Sequence, residues 1–147
     1  MTQSPDVKAP DFADLDEAVA ILRERGMRLS TSRRLVLDAL FRAGTPVTAE
    51  GVATELGLDL ASVYRNLETF ERQGLVRHVH FGHGPGLYML SGHDDREYLF
   101  CEQCGAVRSL EPAQLEPVRE QIRKLSGYEA RFAHFAIVGR CPDCQRT

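Results

Sequence analysis

The chain has 147 residues, 43% of them hydrophobic, and a formal net charge of −3 at pH 7. This length allows one domain or two small ones with a buried core. No segment approaches the roughly 18 consecutive apolar residues of a membrane helix, and the first residues lack a targeting pattern, so we expect a soluble, cytoplasmic protein. The net charge argues against binding nucleic acid through bulk electrostatics, but residues 18–81 are net positive, with nine arginines against seven acids.

The first half of the chain predicts four helices after an N-terminal arm. Residues 1–13 contain two prolines and little apolar content, which indicates a disordered arm. Apolar residues at helical spacing predict helices over 15–25, 33–41, about 49–56 and 61–72. Hydroxyl side chains precede the second and third of these helices and are placed to cap them, and a glycine follows each of the four.

The third and fourth predicted helices are separated by a short turn, which is typical of a helix-turn-helix. The fourth has a buried stripe of Val63, Leu67 and Phe70. Its other faces suit DNA recognition, because Arg bonds guanine in two places, Tyr packs on thymine methyl groups, and hydroxyls hold the phosphate backbone. The residues that we expect on those outer faces are Ser62, Tyr64, Arg65, Asn66 and Thr69. The alternative is the solvated face of an ordinary three-helix bundle.

A β-hairpin is predicted directly after the helix-turn-helix. Residues 75–81 alternate like a strand, residues 82–86 form a turn rich in glycine, and residues 87–90 return as a second strand. A hairpin in this position is a wing. The sequence therefore predicts a winged-helix DNA-binding domain over residues 14–90, followed by a hinge over 91–96.

The remaining residues, 97–147, predict a small α/β domain, which makes the fold class α+β. Strands are expected over 97–100, 106–110 and 128–138, with a helix over about 112–125. A small sheet crossed by one helix buries little apolar surface by itself. We therefore expect this domain to form a homodimer, which a palindromic DNA site requires.

All four cysteines lie in this last domain, as two Cys-x-x-Cys pairs separated by 36 residues. The pairs are Cys101 with Cys104 and Cys141 with Cys144. Each pair contributes a short knuckle, so four thiolates can close a tetrahedron around one Zn²⁺. A thioredoxin-like redox pair or two disulfides are the alternatives, but the chain lacks an export signal, and redox motifs do not normally occur as two matched pairs. We interpret the cysteines as a closed, structural zinc site.

Several short motifs occur together in this chain: Thr31 with Arg33 and Arg34, the run 61–67 that contains Val63-Tyr64-Arg65, the run 74–76, and the segment 99–105 with its distal cysteine pair. In these motifs the chain resembles the ferric uptake regulator (Fur) family of metal-responsive repressors. The resemblance covers about residues 15–144. It implies a homodimeric transcription factor with structural zinc and a second, exchangeable metal that controls binding to operator DNA, and it adds Arg33 to the DNA-binding residues.

The sequence departs from the family at the usual hinge sensor. The family carries a histidine-rich run before the first cysteine, where this chain has Arg96 and Tyr98 in place of two ligands. Arg does not bind a cation, and Tyr seldom does so in this setting. Pro46 and Met89 likewise stand where many members place a histidine and a glutamate. We therefore expect the usual hinge sensor to be absent.

A second metal site of the family is kept in altered form. Asp95 and Glu97 alternate along a strand, and the resemblance matches Glu116 and His134 to a helix glutamate and a strand histidine of the family. Three carboxylates and one imidazole would suit Mn²⁺, Fe²⁺ or Zn²⁺. The alternative is a surface cluster held by salt bridges.

His78 and His80 are two residues apart on a predicted strand and so face the same way. With His134 they would form a three-histidine site suited to Ni²⁺ or Zn²⁺. The alternative is that two histidines on a basic wing contact phosphate or solvent.

Two functions follow from these residues. The first is a metal-responsive repressor, and the second is a DNA-binding regulator that keeps structural zinc but has lost or altered metal sensing. We do not expect an enzyme, because no site combines three metal ligands, an open water position and a general base, and the sequence has no Ser-His-Asp arrangement or glycine-rich phosphate loop.

Overall fold

A computed structural model of the chain describes residues 9–82, 84–91, 96–132 and 135–146. The helices are α1 (Leu15–Glu24), α2 (Thr31–Ala43), α3 (Ala49–Leu56), α4 (Leu60–Arg72), α5 (Glu116–Ser126) and α6 (Pro142–Gln145). The strands are β1 (Val76–His80), β2 (Gly86–Leu90), β3 (Glu97–Cys101), β4 (Val107–Leu110) and β5 (Ile137–Gly139), and a 3₁₀ turn (Pro112–Leu115) precedes α5. Across these residues, no helix has the length and apolar character needed to span a membrane.

The chain divides into two compact units. The first comprises residues 1–78 and 86–94, and the second comprises residues 79–85 and 95–147. The first unit contains the four predicted helices and the second contains the cysteines, so the predicted α+β architecture is confirmed.

Short polar side chains begin each of the first four helices. Asp14, Ser30, Thr48 and Asp59 each accept a hydrogen bond from the backbone N–H three residues later. These caps satisfy amides that have no partner inside the helix, which fixes where each helix begins. Each helix start is determined by residues within one turn of it, and the sequence predicts these starts to within about two residues.

One apolar core joins α1 to α4 in the first unit. The predicted stripe of Val63, Leu67 and Phe70 is fully buried in it. Its other fully buried large residues are Leu22, Val36, Leu37, Leu75 and Val76. The wing strands β1 and β2 form a two-stranded sheet, and Val47 in the α2–α3 loop pairs with Tyr88 of β2 through two backbone hydrogen bonds of 2.9 and 2.7 Å. This pairing positions β2 relative to the helices of the same unit.

The second unit is built on a three-stranded sheet in the order β4-β3-β5. Strand β3 is antiparallel to β4 and parallel to β5. The expectation of one long strand over 128–138 was wrong for the described residues: β5 covers only Ile137–Gly139, and Phe135 forms an isolated bridge with His80. A strand needs a partner along its length, and β3 pairs with this segment only from Leu99 to Cys101.

Helix α5 exposes much of its apolar face. Leu115, which precedes it, is buried, but Val118 and Leu125 are exposed, and so is Tyr128 after the helix. Two residues of the sheet, Val107 and Val138, are also about half exposed. The second unit therefore presents apolar side chains that it does not cover itself.

Candidate metal centres and DNA-binding face

The four cysteines of the second unit converge on one point. Cys101 ends β3 and Cys104 follows in the turn after it, while Cys141 and Cys144 lie at the start of α6 and within it. The four sulfur atoms all lie within 4.8 Å of one another, and the Sγ atoms of Cys104 and Cys141 are 3.8 Å apart. Zinc bound at about 2.3 Å by four sulfurs in a tetrahedron requires S···S separations of about 3.8 Å. The sulfur spacing therefore fits a Zn²⁺ ion, and the sequence prediction of this four-cysteine site is confirmed.

Backbone amides prepare Cys101 to act as a thiolate. The N–H groups of Cys141 and Cys104 both donate to its Sγ, at 3.3 and 3.5 Å. These hydrogen bonds lower the pKa of the Cys101 thiol to about 6, whereas the hydrogen bond with Cys141 and burial raise the pKa of Cys144 to about 12. Four thiolates this close repel one another unless a cation lies between them. Binding of a divalent metal therefore favours deprotonation of all four cysteines, and their deprotonation in turn favours metal binding.

Two members of the predicted regulatory site, Glu97 and Glu116, lie on either side of Arg119. Glu97 is on β3 and Glu116 begins α5. Arg119 donates from Nη2 to Glu97 Oε1, and its Nη1 lies 3.4 Å from Glu116 Oε2. The other two members, Asp95 and His134, lie outside the described residues.

The environment of Glu97 differs from that of a surface carboxylate. Its side chain is only 11% exposed, and its Oε2 atom is buried with no hydrogen-bond partner among the described residues. A buried carboxylate oxygen without a donor is costly, whereas a cation at that atom would compensate the loss of solvent. The salt bridges of the surface cluster considered from the sequence are present at Arg119, and Glu116 is exposed, but Glu97 itself is not at the surface. Its free oxygen fits a metal ligand.

The residues that replace the usual hinge ligands have other contacts. Arg96 lies 3.4 Å from Glu111, and Tyr98 is buried with its ring 5.3 Å from that of Phe81. Met89 is buried as well. A guanidinium, a packed phenol and a buried thioether do not form a site for a hard divalent cation.

His78 is an interior residue and not a surface residue of the wing. Its Nδ1 atom is 2.6 Å from Glu71 Oε2, and both side chains are about 10% exposed. The His78 ring also lies 5.4 Å from the ring of Tyr88. Burial, followed by the nearby charge of Glu71, raises the pKa of Tyr88 to about 12. The expectation that this histidine contacts phosphate or solvent was therefore wrong, because Glu71 already binds it inside the fold.

His80 has a different environment from His78, although they lie on one strand. His78 is assigned to the first unit and His80 to the second. His80 is half-buried, and its ring is 5.7 Å from that of Phe135.

All of the predicted DNA-binding residues except Tyr64 border one polar groove on the first unit, with a volume of about 360 Å³. Arginines at three positions contribute to it: Arg33 from α2, and Arg65 and Arg72 from α4. Ser32, Ser62, Asn66, Glu68 and Thr69 complete its lining. Three guanidinium groups against one carboxylate give the groove a positive potential suited to phosphate.

Individual side chains along α4 are held in defined positions. Arg33 spans from α2 to α4, donating to the Arg28 carbonyl at 2.7 Å and to Asn66 Oδ1 at 3.3 Å. Tyr64 is half-buried and donates its hydroxyl to Glu50 on α3 at 3.0 Å. Arg65 is exposed, and the side-chain hydrogen bond that it forms among the described residues is a long one of 3.4 Å to Ser62 Oγ. Arg65 is therefore the residue of this helix that is freest to reach a base.

Two residues expected on the outer faces of α4 are buried. Asn66 is bonded to Arg33, and Thr69 donates to the Arg65 carbonyl while accepting from Arg72. The expectation that they are exposed was wrong, since α4 packs against α2 on one side and satisfies the Thr69 hydroxyl within its own turn. Asn66 accepts a hydrogen bond from Arg33, and Thr69 accepts one from Arg72.

Sequence reasoning overlooked Glu71, Arg72 and Arg119. Arg72 lies two turns after Arg65 on α4, so helical spacing could have placed it on the same face. Glu71 gives no such signal, because its partner His78 lies on β1. Arg119 lies three residues after Glu116 on α5, but its pairing with Glu97 depends on a different element, β3.

Comparisons with known proteins agree with this geometry. A model of the ferric uptake regulator family matches residues 24–137, well over half of the chain. The peroxide-responsive repressor PerR of Staphylococcus aureus is 26% identical over 137 residues, which cover 90% of this chain and 92% of the relative. The structure of the Helicobacter pylori ferric uptake regulator Fur has a TM-score of 0.71 at 17% identity, covering 100% of this chain and 99% of that one. The ferric uptake regulator from Pseudomonas aeruginosa with manganese has a TM-score of 0.64 at 28% identity, covering 84% and 97%.

The family model covers parts of both units, from the last residue of α1 to the first residue of β5. The Helicobacter pylori structure covers the whole fold, including the described helices, wing strands and cysteine-bearing sheet. The family is one of metal-responsive transcription regulators and not of enzymes. The chain therefore belongs to the ferric uptake regulator family.

Proposed function

We propose that this metal-responsive repressor binds palindromic operator DNA as a homodimer, and that a second divalent cation held by Asp95, Glu97, Glu116 and His134 controls the binding. The observation that carries the proposal is the buried Oε2 atom of Glu97, which has no donor among the described residues. Zinc at the four cysteines would stabilise the second unit, and it would leave no open position for chemistry.

The groove beside α4 supports DNA as the partner. Arg33 and Arg72 are held by hydrogen bonds, which suits contacts to phosphate, and Arg65 is free to reach a base edge in the major groove. The wing follows α4 directly, as in a winged helix. Because the chromosome is the target, the protein would act in the cytoplasm.

The apolar surface of the second unit supports a homodimer. Val107, Val118, Leu125, Tyr128 and Val138 are all exposed in the single chain. An apolar groove of about 210 Å³ on the sheet, lined in part by Val107 and Val138, adds to this surface. Burying such a surface against a second copy is favourable, and a two-fold dimer matches a palindromic site. The proposed organisation keeps the boundaries predicted from the sequence, with an arm over 1–13, DNA binding over 14–90, a hinge over 91–96 and dimerisation over 97–147.

The chemistry of the donors favours an oxygen-rich site. Carboxylates and one imidazole suit Mn²⁺, Fe²⁺ or Zn²⁺. A site of His78, His80 and His134, suited to Ni²⁺, is the alternative, but His78 is already bonded to Glu71 in the interior. The oxygen-rich set is therefore the better supported of the two.

Metal content measured by mass spectrometry, before and after mild EDTA treatment, tests the two sites together. One retained zinc and one labile metal per chain is the expected result. Titration of Mn²⁺, Fe²⁺, Ni²⁺ and Zn²⁺ into zinc-loaded protein, followed by measurement of operator affinity, then identifies the effective ion. Operator affinity that is unchanged by every metal would contradict the proposed sensor.

The variant His134→Ala is expected to abolish metal-stimulated operator binding, because both candidate ligand sets contain this residue. Glu116→Ala separates the sets, since it should be severe for the oxygen-rich site and mild for a three-histidine site, while His80→Ala should do the reverse. Each variant should retain the structural zinc. Loss of that zinc from the His134 variant would show that a ligand of the structural site has been wrongly assigned.

A further inference from the structure

Arg119 is one of the least exposed ion-paired arginines of the second unit. Its side chain is 15% exposed, whereas that of Arg123, one turn later on α5, is 44% exposed. Nη1 donates to the Pro112 carbonyl at 2.8 Å, and the guanidinium lies 5.8 Å from the centre of the Phe132 ring. These contacts fix its position independently of the two carboxylates that it also meets.

The guanidinium lies where it neutralises Glu97 and Glu116 together. One nitrogen bonds Glu97 Oε1 and the other lies 3.4 Å from Glu116 Oε2. An arginine keeps its charge at every physiological pH, so this cation is permanent. Without it, the buried Glu97 carboxylate would lose the cation that compensates its charge, which would disfavour the folded unit.

We infer that Arg119 is an internal cation that competes with the regulatory metal for the Glu97–Glu116 pair and so sets the metal affinity. This inference rests on the proposed regulatory site. Glu97 Oε2 stays free for a metal while Oε1 stays on Arg119, but Glu116 must weaken its contact with Arg119 to bind a metal. A divalent cation near a fixed guanidinium is also repelled by it.

The consequence is a specificity-determining role for a residue that is not itself a ligand. Metal occupancy requires enough binding free energy to overcome both the repulsion and the lost Glu116 contact. Cations that bind carboxylates weakly would then fail to occupy the site at concentrations where stronger ones succeed. The response threshold of the regulator would be set by Arg119.

The test is calorimetric titration of Mn²⁺ alone into zinc-loaded protein. Arg119→Gln is expected to bind Mn²⁺ on the order of tenfold more tightly than the parent, because a positive charge near the cation is lost. Arg119→Lys keeps the charge and should stay within about threefold of the parent. Arg123→Gln is the matched control, since it removes an arginine from the same helix whose ion pair, among the described residues, is with the half-exposed Glu120, and it should leave the affinity unchanged.

Thermal unfolding of the same zinc-loaded proteins separates competition from a purely structural role. Arg119→Gln should unfold at a lower temperature than the parent without Mn²⁺, and Mn²⁺ should raise its unfolding temperature by more than it raises that of the parent. A lower unfolding temperature with no gain in Mn²⁺ affinity would overturn the inference and leave Arg119 as a structural ion-pair partner. An affinity for Mn²⁺ that falls in Arg119→Gln would also overturn it.

Glu97→Gln distinguishes failure of this inference from failure of the proposed site. If the parent binds Mn²⁺ and Glu97→Gln does not, the site stands, and the Arg119 variants decide the inference by themselves. If Glu97→Gln binds Mn²⁺ as the parent does, the proposed site and the inference both fail.

Discussion

Replacing His78 with Ala should destabilise the first unit strongly while leaving metal binding intact. The change removes the partner of Glu71, whose carboxylate is about 10% exposed and lies 2.6 Å from the imidazole. It also removes a ring that packs 5.4 Å from Tyr88. The expectation follows from burial, because a carboxylate left in the interior without a donor cannot recover its hydration.

The size of the effect can be bounded from these contacts. A hydrogen bond to a charged group contributes about 1.5–3 kcal/mol, and leaving a buried charged group without its partner costs about 1–3 kcal/mol or more. We expect the free energy of unfolding to fall by about 3 kcal/mol, a large part of the roughly 5–15 kcal/mol typical of a domain. Glu71→Ala should lower the free energy of unfolding by a similar amount. The double variant should lower it by clearly less than the two single variants added together, which corresponds to a coupling energy of about 2 kcal/mol.

Urea unfolding of zinc-loaded protein, followed by far-UV circular dichroism, measures these free energies. The matched control is His80→Ala, which removes a half-buried histidine from the same strand without breaking the pair. A coupling energy below about 0.5 kcal/mol would show that the His78–Glu71 contact contributes little to stability, because the stability changes of independent sites add to within that margin. Normal stability together with a lost metal response would instead identify His78 as a metal ligand.

Two further predictions concern the zinc centre and the DNA-binding face. Cys101→Ser removes the buried sulfur that accepts two backbone hydrogen bonds. The second unit should therefore unfold or become monomeric, and operator binding should fall. A dimeric variant that retains zinc would contradict the assignment. Arg65→Ala should weaken operator binding by about 1–3 kcal/mol if Arg65 contacts a base, with fold and dimer unchanged, whereas a phosphate contact would weaken all sequences alike. Tyr64→Ala should weaken operator binding too, and equal affinity of parent and variants for the operator would reject α4 as the recognition helix.

The sequence by itself determined the features that depend on neighbouring residues. The helix starts at Ser30 and Thr48 follow from a side chain reaching an amide three residues away, an interaction within one turn. The stripe of Val63, Leu67 and Phe70 follows from the helical period. The cysteine pairs were recognisable because each knuckle is closed by its own short spacing, and four thiols in two such pairs have few alternatives.

Tertiary structure decided the environments that depend on which elements meet. Asn66 is buried because α2 brings Arg33 against it, and His78 is internal because β1 turns back beside the end of α4, where Glu71 lies. The segment 128–138 alternates in sequence, yet in the described part β3 pairs with only its end. Glu97 and Arg119 are 22 residues apart, and only the packing of α5 near β3 places a fixed cation on the carboxylate that the sequence offered to a metal. A sequence pattern specifies a side chain's type and its local direction. The burial of that side chain and the compensation of its charge depend on which other element packs against it, and the residues of a single turn or strand do not encode that partner.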